Sequence, residues 1–68
     1  MKMEGITIKE FLEHQKPYFI ICCNAYNNEI NEGHTFENRN KFSDGILNCS
    51  CFNVFHFGYG KVMIEYYL

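Results

Sequence analysis

The sequence predicts an α+β fold: one N-terminal helix packed on an antiparallel sheet of about four strands, finished by a C-terminal β-hairpin. Three observations carry this expectation. Residues 6–17 hold a full set of helix start and stop signals. Residues 18–26 are apolar at both parities, as in a strand covered on both faces. Residues 61–68 alternate in period two behind a glycine-containing turn.

The helix signals come first in the chain. Thr7 and Glu10 have the spacing of a capping box, in which the threonine oxygen accepts from the Glu10 amide and the carboxylate reaches back. Ile6 and Phe11 have the spacing of a hydrophobic staple across that cap. Ile8, Phe11, Leu12 and Gln15 share one face, leaving Lys9, Glu10, Glu13 and Lys16 to solvent. Pro17 disfavours helical geometry at Lys16 and ends the helix. About nine residues of helix do not persist alone, so this one must lie on an apolar surface.

Tyr18 to Tyr26 supplies that surface. Phe19, Ile21 and Cys23 form one face; Tyr18, Ile20 and Cys22 form the other. Asn27-Asn28 reads as a hairpin turn, because asparagine tolerates the left-handed region. Glu29 to His34 then reads as a second, more polar strand, with Ile30 as its main inward residue and Gly33 as a bulge or end. Residues 34–48 are polar and Asn-rich, with a turn signal at Ser43-Asp44-Gly45. They read as a short helix or an ordered loop anchored by Phe36, Phe42, Ile46 and Leu47.

In the last strand Val62, Ile64, Tyr66 and Leu68 alternate with Lys61, Met63, Glu65 and Tyr67. The run before it, Cys49 to Phe57, is apolar at both parities, so the turn has to set the register. A two-residue loop at Tyr59-Gly60 pairs Gly58 with Lys61, Phe57 with Val62 and Phe55 with Ile64, and Gly60 supplies the positive φ. This register turns Phe55 and Phe57 inward and leaves Phe52, Val54, His56, Met63 and Tyr67 outward. A three-residue loop aligns Phe52, Val54 and His56 with Val62 and Ile64 instead, because a one-residue slip exchanges faces. The two-residue loop is the reading adopted. The last strand is also a candidate sheet edge, open to pairing with another chain.

Composition bounds the function. The 68 residues read as a single domain, residues 1–68. A chain this short buries only about 60% of the surface its unfolded form exposes. With 47% hydrophobic and 18% aromatic residues, it can build a core from large rings and still leave apolar surface for a partner or a second copy. A net charge of −2, with six scattered Lys and Arg, argues against a nucleic-acid footprint, which needs clustered cations. No run reaches the roughly 18 apolar residues of a membrane span. Met1-Lys2-Met3-Glu4-Gly5 leads into a polar helical segment rather than a signal-peptide core, so a cytoplasmic location is expected.

The four cysteines are Cys22, Cys23, Cys49 and Cys51. Neighbouring residues on a strand point to opposite faces, so Cys22 and Cys23 do not share one ion. They read as reduced, buried small hydrophobes, with a metal site at Cys49, Cys51 and a histidine as the alternative. No cofactor and no metal are expected. A Cys–His nucleophile needs a thiol with lowered pKa, and the apolar neighbours of Cys22 and Cys23 act the other way. No enzyme activity is therefore expected. His14 suits the helix C-terminus, and His34 reads as a loop residue. Gly58-Tyr59-Gly60 precedes a strand, whereas phosphate cradles open a helix.

Two groups of residues remain as candidates for partner binding. Glu29, Glu32 and Glu37 make the middle acidic, suited to solvation or to a basic groove. Phe52, Val54, His56, Met63 and Tyr67 form the outward face of the hairpin in the adopted register.

Ile6-Thr7-Ile8-Lys9-Glu10-Phe11-Leu12 resembles the start of many small phage and mobile-element proteins, which open on a capped helix of the Thr-Val-Lys-Glu-Phe-Leu kind. Those chains often end on a strand, a tight turn and a last strand, and Phe55-His56-Phe57-Gly58-Tyr59-Gly60-Lys61-Val62-Met63-Ile64 is similar to that ending. The resemblance covers the two ends of the chain and assigns no functional residue. It implies an accessory protein of anti-CRISPR-like type, binding a host protein or complex and inhibiting it by occluding a surface. The expected function is thus a non-catalytic protein-binding module. The alternatives are a small metal- or nucleic-acid-binding module or a self-associating structural protein, including a homodimer.

Overall fold

Helix α1 (Ile8–Gln15) forms where its signals lie. The Thr7 hydroxyl accepts from the Glu10 amide at 3.1 Å, and the Thr7 amide donates to the Glu10 carboxylate at 3.0 Å. Lys16 closes the helix in the left-handed region, at φ 46°, its amide donating to the Leu12 carbonyl. Ile8, Phe11 and Leu12 are buried, while Gln15 stays exposed.

The computed structural model describes residues 1–68, the side chain of Glu32 excepted. After a short β1 (Lys2–Glu4) and α1 come β2 (Phe19–Asn24) and β3 (Ile30–Thr35). A 3-10 segment (Phe36–Lys41) and a one-turn α2 (Asp44–Leu47) follow, then β4 (Cys51–Gly58) and β5 (Lys61–Tyr66). Among the described residues the strands make one five-stranded sheet in the order β1-β4-β5-β2-β3. The sheet is mixed rather than antiparallel: β2 and β5 run parallel, with Ile20 beside Val62 and Cys22 beside Ile64. That ladder starts at the β4–β5 turn, where the Tyr18 and Phe19 amides both donate to the Gly60 carbonyl, at 2.7 and 3.2 Å. The last strand is therefore central, not an edge, and the edges are the three-residue β1 and the polar β3. Short, polar edge strands discourage further pairing.

The β4–β5 turn is the two-residue loop expected. Gly58 pairs with Lys61, and Tyr59 and Gly60 both take positive φ, 53° and 76°. The faces are nevertheless the opposite of those expected. A bulge between His56 and Gly58 adds one residue to β4, so His56 lies across from Val62 and Val54 across from Ile64. Phe52 and Val54 thus enter the core, at 0% and 1% exposure, while Phe55 turns outward beside Met63 and Phe57, in the bulge, is solvent-exposed rather than inward. Ile30 is also not an inward residue. It lies opposite Cys23 on the outer face of the sheet.

One layer of helix covers one face of this sheet. Ile8, Phe11 and Leu12 of α1 join Phe42, Ile46 and Leu47 over Ile20, Cys22, Phe52, Val54, Val62, Ile64 and Tyr66. The Phe11 and Phe52 rings meet edge to face, with centroids 5.8 Å apart. Ile8 N–H donates to the Cys49 carbonyl at 2.9 Å, which pins the helix to the chain entering β4. The Ser43 hydroxyl accepts from the Ile46 amide and caps α2. Among the described residues no helix is long and apolar enough to cross a membrane.

Candidate partner-binding surface

Because both helices and the 3-10 segment pack on the inner face, the outer face of the sheet is left without a covering layer among the described residues. The strand registers give its layout. A central row runs across β4, β5 and β2 through Phe55, Met63 and Ile21. On the side toward the β4–β5 turn, Lys61 lies beside Phe19. On the other side, Glu65 lies between Asn53 and Cys23, and Ile30 follows on β3. Phe55 is 41% exposed, Phe57 61% and Tyr59 97%, so the aromatic side chains become more exposed toward the turn.

Local contacts fix this face. The Asn53 side-chain amide donates to the Tyr67 hydroxyl at 3.0 Å and to the Glu65 carboxylate at 3.3 Å. The Tyr67 hydroxyl in turn reaches Glu65 at 3.4 Å. This cross-strand polar group holds Glu65 half-buried and in place. The far end of the Phe19 ring lies so close to Gly33 that any side chain there would meet it. Gly33 is thus the gap into which an aromatic residue of β2 packs. Tyr26 and Tyr67 meet edge to face at 5.7 Å. On β1, Lys2 pairs with Glu4 at 3.2 Å, and hydrogen bonding to that carboxylate raises the lysine's pKa above its ordinary value.

Of the residues singled out from sequence, Met63 and Tyr67 lie half-buried on this outer face. His56 is exposed but does not belong to the outer face: it lies opposite inward-facing Val62 next to the bulge, which has moved it to the helix side of the sheet. Phe52 and Val54 do not belong to any surface, because the bulge has turned them into the core. Glu29 and Glu37 are both exposed, but they sit at opposite ends of β3, which holds them roughly 20 Å apart. Glu37 lies instead in a shallow, charged cleft with Glu13, Arg39 and Asp44, where Arg39 bridges to Glu13 and stacks over Phe36. The side chain of Glu32 lies outside the described residues. The sequence reading missed Phe19, Ile21, Ile30 and Phe55 as outer-face residues. The Lys61-Met63-Glu65 alternation marks the outer face of β5, but it does not say which strands flank it.

The cysteines are all free thiols. Burial, together with the adjoining Cys23, pushes the Cys22 thiol up to about 12, so it stays protonated. The Cys49 thiol is spent on the carbonyls of Cys51 and Tyr67, each at 3.4 Å. Among the described residues no group of His, Cys, Asp and Glu is arranged to hold a metal ion. The outer face is therefore the feature with the clearest capacity to recognise something. Its ring and thioether side chains suit the apolar surface of another polypeptide. Compared with known proteins, the chain matches no family model, no curated protein and no solved structure.

Proposed function

We propose that this chain is a non-catalytic protein-binding module that works by laying the outer face of its sheet on another protein. The observation behind the proposal is the bare face itself, with Phe55, Met63, Ile21 and Phe19 in adjoining rows and, among the described residues, no covering layer. Contiguous apolar surface of this kind marks interaction sites, and aromatic and methionine side chains are the types enriched at interface centres. The resemblance of the chain's two ends to phage and mobile-element accessory proteins suggests the partner class: a host protein, inhibited because part of its surface is covered.

The test is retention of host proteins on the tagged chain, compared with two outer-face variants, Phe55→Ser and Met63→Lys, whose folding is checked by circular dichroism. One stoichiometric protein held by the parent and lost by both folded variants supports the proposal. Retention that ignores both substitutions refutes the outer face as the working surface.

A further inference from the structure

We infer that the outer face is self-complementary and that two copies of the chain stack on it, face to face, about a two-fold axis along the Phe55–Met63–Ile21 row. This rests on the reading of that face as a protein interface and names its resting occupant. The argument is one of register and charge. Along β5 the outward side chains are Lys61, Met63 and Glu65, a cation and an anion on either side of an apolar centre. Along β2, Phe19 and Cys23 flank Ile21 in the same rows.

A two-fold axis lying in the interface and running along the central row reverses the strands of the second copy. Met63 then meets the second copy's Met63, Ile21 its Ile21, and Phe55 its Phe55. Each Lys61 falls over the other copy's Glu65, and the symmetry makes that contact twice. Phe19 falls over Cys23. An axis along the strands would instead set Lys61 on Lys61 and Glu65 on Glu65, so charge selects the first arrangement. Among the described residues Lys61 has no ion-pair partner, and the Asn53 and Tyr67 contacts that hold Glu65 on the face both end on its Oε1, so Oε2 is the oxygen that takes the second copy's lysine. Two twisted sheets pack in this aligned way at about 10 Å, within reach of lysine and glutamate side chains. The molecule measures only 27 × 23 × 21 Å, so the shared face is at the small, reversible end of protein interfaces. Such a dimer shields the aromatic row until a partner competes for it.

The test is sedimentation velocity from micromolar to near-millimolar protein, on the parent and on charge variants. The parent should dimerise reversibly. Lys61→Glu and Glu65→Lys should each weaken the dimer roughly tenfold or more, since each places like charges together twice. Mixed in equal amounts, the two single variants should re-form a dimer, because every cross-contact is again opposite in charge. A parent that stays monomeric throughout overturns the inference, as does a dimer indifferent to Lys61→Glu or a mixture that fails to associate while both variants remain folded. The two readings separate cleanly. Monomeric protein that still retains a host protein through Phe55 and Met63 refutes the dimer alone. A charge-dependent dimer that retains nothing supports the dimer and removes the foreign partner.

Discussion

Phe52 and Phe55 are three residues apart on β4, and the bulge assigns them opposite fates. Truncating each to alanine tests that assignment directly. Phe52 has no exposure at all and packs edge to face on Phe11. Its removal forfeits about 1.5–3 kcal/mol of apolar burial and about 0.5–1.5 kcal/mol of ring pairing, and it leaves a cavity between α1 and the sheet. The expected cost of Phe52→Ala is about 3–5 kcal/mol, a large part of what holds so small a domain folded. Phe55 is 41% exposed, and solvent fills the space it vacates. Phe55→Ala should cost about 1 kcal/mol or less. Urea unfolding followed by circular dichroism measures both, and in thermal melts each kcal/mol moves the midpoint by about 4–8 °C at this size. If Phe55→Ala proves as costly as Phe52→Ala, the bulge is misplaced and the assignment of faces on β4 fails with it.

Three further outcomes follow from local geometry. Thr7→Ala removes the acceptor for the Glu10 amide and should cost about 1 kcal/mol in urea unfolding. Gly60→Ala should cost about 1–2 kcal/mol, because φ there is 76° and an added Cβ would lie 3.1 Å from that of Tyr18. Half-buried Cys51 should be the first thiol to react with an aromatic disulfide reagent in the native state, and Cys51→Ser should remove that fast phase. Cys22 also sets a pH dependence. Its folded pKa is raised from 9.0 to about 12, so the folded state keeps a proton that the unfolded chain releases. The contribution is complete below pH 9 and is lost as pH rises from 9 toward about 12, so Cys22→Ala should flatten the alkaline limb of a stability profile.

Much of the local structure can be read from residues alone, because its causes are local. Thr7, Glu10 and Pro17 define a helix within one stretch of chain, and Tyr59-Gly60 defines a turn within two residues. Phe42, Ile46 and Leu47 were readable as anchors because large apolar side chains in a polar segment have few other destinations. The β4 faces were not readable. Cys49 to Phe57 is apolar at both parities, so a single extra residue in the bulge inverts the pattern without leaving a mark in the sequence. The parallel β2–β5 pairing was not readable either, since it joins segments far apart in the chain. Met1-Lys2-Met3-Glu4 does alternate apolar with charged residues, and that small signal could have identified β1. The candidate surface inherits these gaps. Met63 and Tyr67 were placed correctly because β5 alternates cleanly, whereas their neighbours Phe55 and Ile21 depended on the bulge and on strand order.

The central position of β5 has a consequence for how the molecule opens. β1 and β4 lie on one side of it and β2 and β3 on the other, so every backbone hydrogen bond joining the two halves of the sheet passes through this strand. Neither half can fray independently into its neighbour. Amide protons of β2 and β4 that bond to β5 should therefore exchange with solvent through one shared opening, with protection close to the global unfolding free energy, while those bonded to the edge strands exchange sooner. The same arrangement delays assembly. The Ile20–Val62 ladder closes a loop spanning most of the chain, and such high contact order places folding in the milliseconds-or-slower range rather than the microseconds of a helical bundle. Until β5 inserts, two unjoined strand pairs expose their apolar faces, which makes that single insertion the step at which the chain is committed either to its fold or to aggregation.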